Sequence, residues 1–495
     1  MTNISHYTKL KKTFQETAVL VIGDIILDLY VEGQTNRISP EAPIPVVKVE
    51  TNKYVLGGSA NVANNLSTLG AKTQLIGIVG QDAEGKIVKD LLKSRKIISS
   101  GIVIDKRPTT LKTRILCSQQ QMIRLDREVS SPVNAEIQKK IIQAIQKSFK
   151  TTKFKAIIIS DYAKGCFTPA ILKTIFDLAK KNKLPVVVDP KNSDFSIYKG
   201  ASYIKPNLSE TAMALKLNSI NGSNEKDVED AGAKLLKTTG AMGILISRNK
   251  YGMSLIQKNS SFHVTAKATE VSDVSGAGDT VLSVFTLGLA AGLSPEFSTE
   301  LSNVAAGIVV QKHGTATVTP EEIFKSLDLS HHQSAQKAMK RDELKHFLQM
   351  EKALGNKVVF TNGCFDLLHV GHVKLLEESK KQGNILVVAI NSDKSVQKLK
   401  GKGRPLINED DRARILLSLS CVDYVVVFDE ETPRPLLRLL KPDILVKGGD
   451  YSHHQVVGWE IVESYGGQVT TIDLVKGKST TKTLNQILEK NLNKS

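Results

Sequence analysis

The sequence predicts an α/β protein of two domains, each built on a mostly parallel sheet with helices on both faces. Two observations carry this reading. Short apolar runs alternate with amphipathic stretches of helical period along most of the chain, the pattern of repeated βα units. At 495 residues the chain is also too long for one ordinary domain, and the pattern breaks and restarts near residue 328.

Composition narrows the class. Hydrophobic residues make up 41% of the chain, enough for packed cores and too much for wholesale disorder. Cys117, Cys166, Cys364 and Cys421 are scattered, with no Cys-x-x-Cys pair. That argues against a disulfide framework or a zinc site and suits a reducing cytosol. The first apolar run, 18–29, is interrupted by Gly23, Asp24 and Asp28, so it reads as neither signal peptide nor membrane span. A soluble, cytoplasmic protein is expected. The net charge is +17, but lysines are spread along the chain, often beside acids, and aromatics are only 5%. Nucleic-acid binders concentrate their cations and interleave stacking platforms. The expected partners are polyanionic small molecules, with no nucleic acid and no membrane.

Taken in order, residues 18–24 form a buried strand, with Asp24 and Asp28 at the end where open α/β sheets bind ligands. Residues 33–50 carry Pro40, Pro43 and Pro45 ahead of an alternating stretch, a small excursion or lid strand. Gly57 and Gly58 open a helix whose first residues include Asn61, offering backbone and amide groups to a polyol. Strands follow at 73–79, 156–161, 185–189 and 243–247, the third ending in Asp189, Pro190 and Lys191. A strand-like 203–206 leads into Asn207, Leu208, Ser209 and Glu210, an amide and a carboxylate where Mg²⁺ and phosphates could be held.

The stretch 271–280 organises this half. Gly276, Ala277 and Gly278 precede Asp279, and an apolar run of helical length begins at once. Such a turn aims free N–H groups and the positive end of a helix dipole at one point. Asp279, in the first helical turn, could take the proton from an attacking hydroxyl. A lone turn of this kind equally caps an ordinary core helix, so the other segments supply the weight.

Together these segments resemble the ribokinase-like (PfkB) carbohydrate kinases across roughly residues 15–328. The resemblance implies an α/β sandwich with a small β lid, and ATP and Mg²⁺ at the site. It makes Asp279 the catalytic base and the amides of Gly276, Ala277 and Gly278 the anion hole. Asn207, Leu208, Ser209 and Glu210 would lie at ATP, with Asn207 and Glu210 near Mg²⁺. Asp28, Gly57, Gly58 and Asn61 would lie at the sugar, and Asp273 at a monovalent cation such as K⁺. No complete Walker-A motif occurs.

Residues 329–355 read as a polar linker and lead-in helix; His331 and His332 lack a third spaced ligand and suit a solvated segment. The domains are therefore 1–328 and 356–495. A second βα series has strands at 357–360, 385–390, 424–428, 444–447 and 469–474. After its first strand come Phe365, His369, Gly371 and His372, the histidines bracketing a glycine where a helix opens. Ring N–H groups and a helix dipole can there bind a triphosphate together. Lys400, Lys402, Arg404, Arg412, Lys447, Ser479, Thr480 and Thr481 add cations and hydroxyls.

This half resembles the cytidylyltransferase-like nucleotidyltransferases, a Rossmann-like fold. The resemblance implies that the substrate's own phosphate attacks the α-phosphorus, and that His369 and His372 stabilise the transition state. Lys400 and Lys402 become phosphate contacts, Phe365, Arg404 and Lys447 nucleotide contacts, and Ser479, Thr480 and Thr481 the triphosphate hold.

The order of the halves, and the stretch 36–46 above all, resemble the bifunctional heptose kinase/adenylyltransferases of Gram-negative bacteria over essentially the whole chain. That resemblance implies phosphorylation of D-glycero-β-D-manno-heptose 7-phosphate at O1 and, after a separate phosphatase, adenylyl transfer to the 1-phosphate, giving ADP-heptose for lipopolysaccharide. A substrate already bearing phosphate needs cations, and Arg114, Arg124 and Lys191 are the residues expected to supply them. The lid strand suggests a homodimer through the kinase half. The triphosphate motifs leave ATP and CTP open at the second site, so another sugar 1-kinase fused to a CTP-using transferase is one alternative. A non-catalytic sugar-sensing or nucleic-acid-binding protein is the other; intact Asp279, His369 and His372 count against it.

Overall fold

The computed structural model describes residues 10–117, 120–266, 272–312, 314–334, 338–353, 355–401, 403–449 and 452–473. The chain forms two compact units that divide between Lys325 and Ser326, inside a helix spanning Pro320–Ser334 and slightly before the break expected at 328.

The first unit is organised on a nine-stranded sheet. From edge to edge its strands are Ser261–Val264, Met253–Gln257, Gly243–Ser247, Tyr203–Ile204, Val186–Asp189, Ala156–Ser160, Ala18–Gly23, Lys72–Gly80 and Ile98–Asp105. Pairing is parallel from Ile98–Asp105 through Gly243–Ser247, and the last two strands turn back antiparallel. The central strands are continuous apolar runs, as in Ala156–Ser160, because helices cover both faces. On one face lie Ala135–Thr151, Pro169–Asn182 and Glu225–Thr239, whose Ile141, Ile175 and Leu235 are buried in a shared core. The helices Ser59–Thr68 and Ala277–Ala290 pack together, joined by the Thr280 hydroxyl donating to Asn65 Oδ1 at 2.9 Å.

The lid is larger than one excursion. Ile25–Ile38 and Pro45–Gly58 form a long antiparallel hairpin, and Thr110–Cys117 and Gln120–Arg127 extend it to a four-stranded sheet. Asp28 therefore lies within a lid strand, not on a loop. The last two lid strands escape sequence reading because Thr110–Cys117 is half-buried along both faces and Gln120–Arg127 is exposed, so neither has one buried face to impose a clear alternation.

The second unit has five strands, all parallel, in the order Tyr424–Phe428, Ile385–Asn391, Val358–Gly363, Ile444–Gly448 and Gln468–Ile472. The order reverses between Val358–Gly363 and Ile444–Gly448, and such switch points open a crevice at the strands' C-terminal ends. The helix Arg341–Ala353 buries Leu344 and Leu348 in this unit's core, so the expected lead-in helix is part of the second core. Among the described residues no helix is long and apolar enough to cross a membrane.

Candidate active sites

In the first unit, Gly276 takes φ +81° as the N-cap of the helix Ala277–Ala290, a left-handed conformation that favours glycine. No side chain caps this helix. Of the three amides expected to form an anion hole, that of Ala277 donates to the Val274 carbonyl at 3.3 Å. Asp279, one residue on, is buried. Asn61 Nδ2 donates to its Oδ2 at 2.7 Å and the Tyr162 hydroxyl to its Oδ1 at 2.8 Å. Burial foremost, with Asp189 nearby, pushes the Asp279 carboxyl up to about 6, against the two donors and Lys205. A carboxyl near 6 is mostly ionised at neutral pH, the state in which it could accept a proton.

Around this carboxylate the strand ends deliver charge. Lys205, buried at the end of Tyr203–Ile204, pairs with Asp189 at 3.0 Å, and its ammonium lies near Gly278. Asn207 caps the helix Leu208–Ala214 in a capping box: its side chain accepts from the Glu210 amide, and Glu210 accepts from the Asn207 amide. Glu210 also pairs with Lys191. Among the described residues no three acidic, His or Cys groups form a cation cage. Mg²⁺ usually binds through one or two carboxylates plus substrate phosphates, so Glu210 beside Asn207 fits that role.

On the lid side, Asp28 packs over Gly57, where a Cβ would collide with the carboxylate. Asp28 pairs with Arg114, whose guanidinium lies 5.4 Å from the Tyr30 ring centroid. Burial alone would raise Asp28 further; Arg114 opposes it. Arg114 stands opposite Arg124 in the antiparallel register, and Arg124 bonds Asp126 with half its side chain exposed. Asp273 accepts from the amides of Ser275 and Gly314, which outweigh burial and hold its carboxyl below the usual range.

In the second unit, His369 is the N-cap of the helix Val370–Lys381, and its ring stacks on His372 at 3.8 Å. Burial, then His369 and Lys400, pushes His372 down to about 4, so it is a neutral ring at pH 7. Each neutral imidazole carries one N–H, and the Nδ1 atoms of both rings are buried without a partner among the described residues. Lys447 crosses the switch point to donate to the Asn362 carbonyl at 3.2 Å, and burial lowers its pKa. Arg412 is fully buried, donating to Cys364 O, Ile407 O and Asp393, and so ties the histidine loop to two other segments. Arg404 pairs with Asp366.

The chain matches the pfkB family carbohydrate kinases over residues 16–322 and the cytidylyltransferase-like family over residues 360–476. It is 45% identical over 471 residues to the "Bifunctional protein HldE" of Geobacter metallireducens, covering 95% of each chain. To the protein of the same name from Syntrophotalea carbinolica it is 44% identical over 493 residues, 99% of each chain. The chain belongs to the bifunctional HldE family. Like its relatives it is a transferase joining a carbohydrate kinase to a nucleotidyltransferase, and the sensor and nucleic-acid readings fall away. The fold of the first unit is also that of Escherichia coli phosphofructokinase-2, solved in complex with potassium, with a TM-score of 0.53 at 18% identity over 63% of this chain and 99% of that one.

Within this HldE chain, the structure brings Asp279, Gly276, Gly278 and Asn61 together at one point, and His369 and His372 at another. Asn61, expected at the sugar, donates its amide to Asp279. Lys191, expected at the sugar phosphate, pairs with Glu210. Lys402, Ser479, Thr480 and Thr481 lie outside the described residues. Tyr162 and Lys205 were missed in sequence, because a tyrosine and a lysine far from Asp279 in the chain carry no local signal.

Proposed function

We propose that the two units act in turn on one sugar. The first phosphorylates D-glycero-β-D-manno-heptose 7-phosphate at O1. A separate phosphatase then removes the 7-phosphate, and the second unit transfers AMP from ATP to the resulting 1-phosphate, releasing pyrophosphate and giving ADP-heptose. The observation that carries this reading is the near full-length match to bifunctional HldE proteins.

In the first step O1 attacks the γ-phosphorus, Asp279 accepts the O1 proton and ADP leaves. The Gly276 and Gly278 amides, the helix N-terminus and Lys205 meet the charge on the phosphoryl oxygens. Glu210 and Asn207 would hold Mg²⁺, which neutralises phosphate charge when bound, and Asp273 would face a monovalent cation. In the second step a phosphate oxygen of the substrate attacks the α-phosphorus. His369, His372, Lys400 and Lys447 position and neutralise the triphosphate, and no protein base is needed.

The lid recognises the 7-phosphate. Arg114 and Arg124 stand opposite each other across two lid strands, held by Asp28 and Asp126, so a phosphate reaching this point would meet two guanidinium groups at once. Arg124→Ala is expected to raise the KM for the sugar phosphate about tenfold with kcat retained, in line with a lost charge-assisted bond. Steady-state kinetics with varied sugar phosphate check this; an unchanged KM sinks the assignment. The lid also exposes Ile38, Val49, Ile123 and Leu125, which a second copy of the lid would cover in a homodimer.

Mass spectrometry of the products from heptose 7-phosphate and ATP tests the whole scheme. The 1,7-bisphosphate should accumulate without phosphatase and ADP-heptose should appear with it. CTP should not replace ATP in the second step; a CDP-sugar product would overturn the assignment of nucleotide.

A further inference from the structure

Asp24 is buried and takes no part in the chemistry derived above, yet it is densely bonded. Its carboxylate accepts the backbone amides of Tyr162 at 2.9 Å, Lys164 at 3.0 Å and Cys166 at 3.2 Å. One side chain thus clasps the whole turn after Ala156–Ser160. The residue that turn projects is Tyr162, whose hydroxyl donates to Asp279 Oδ1 at 2.8 Å. The other oxygen of the carboxylate is held by Asn61. Lys191, the partner of Glu210, has its ammonium 5.7 Å from the Tyr162 ring centroid. The Tyr162 ring therefore stands between the base and the Mg²⁺ end of the site.

We propose that Tyr162 is a positioning residue that aims the Asp279 carboxylate at the sugar hydroxyl, and that Asp24 fixes Tyr162 by clasping its backbone. Two donors, one per oxygen, fix both the rotation of the carboxylate and its distance from the cradle; with Asn61 alone the group can swing about one contact. A near-attack geometry lost in this way costs rate even though the base remains.

The same contact has a signature that packing alone does not produce. A donor to the ionised form favours it, so removing the donor makes the base harder to ionise. The charged and titratable groups around Asp279 are Asp189, Lys205 and Lys191 from the neighbouring strand ends, with Tyr162 and the neutral Asn61 in contact. None of these is altered by Tyr162→Phe except the phenol itself.

The inference rests on Asp279 being the base. The experiment measures the pH dependence of kinase kcat in the full-length chain carrying Tyr162→Phe. Its acid limb is expected to move up by about one pH unit, the size of one lost hydrogen bond to a charged group. Replacing Tyr162 with 3,5-difluorotyrosine, a stronger donor of nearly the same shape, is expected to move the limb down and keeps the test open if the phenylalanine chain does not fold. Asp24→Asn, which weakens the clasp, is expected to move it up. A limb unmoved in the phenylalanine and difluorotyrosine chains overturns the proposal. If Asp279→Asn is inactive at the same time, only the role of Tyr162 fails; if Asp279→Asn retains kinase turnover, the base assignment itself fails.

Discussion

Asp279→Asn is expected to lower kinase turnover by between about a hundredfold and ten-thousandfold, the range for a lost general base. Adenylyl transfer should be untouched, because its histidines belong to the other compact unit. In the unaltered protein, kinase turnover should rise with pH through about 6 and level off above it, since the buried carboxyl must be ionised to accept a proton. The stability sign runs the other way. A carboxyl raised from 3.8 to about 6 holds its proton more firmly when folded, so its contribution is full below the unfolded value and is lost as pH rises through 6. Near neutrality the ionised Asp279 burdens the fold, and the asparagine chain should melt no lower than the parent. Paired assays of the two reactions, with a thermal melt, check all three. A loss of both activities with the fold preserved would contradict two independent sites.

His372→Ala is expected to reverse the pattern, cutting adenylyl transfer by roughly a hundredfold to a thousandfold while the kinase persists. The reason lies in the state of the ring. Held near 4 by burial and by His369, the ring is neutral at pH 7, so any help it gives to developing charge would come as a preorganised hydrogen-bond donor rather than as a cation. His372→Gln, which can still donate, should recover part of the loss, whereas a ring acting as a cation would gain nothing from glutamine. Rates of pyrophosphate release from ATP and the sugar 1-phosphate discriminate the two. Full activity in the alanine chain would remove His372 from the site.

Much of the architecture was legible because it is local. The strand at Ala18–Gly23, the helix opened by Gly57 and Gly58, and the turn before Asp279 follow from runs of neighbouring residues, and the structure agrees within a residue or two. The lid was legible only at its proline-rich start. Its strands at 110–117 and 120–127 have intermediate or exposed faces, so alternation was not imposed on them. The helix Arg341–Ala353 looked like a charged connector because only a narrow stripe, Leu344 and Leu348, goes inward.

The residues by themselves marked two helix starts as candidate anion cradles, since a glycine turn or a pair of histidines at a helix start is complete within about ten positions. What only the tertiary structure decided is which distant groups meet them. Asn61 and Tyr162 reach Asp279 across 218 and 117 residues. Arg114 reaches Asp28 across 86, through a parallel register between two lid strands. Those meetings depend on strand order and register, which are set by the summed burial of whole sheets rather than by any nearby residue.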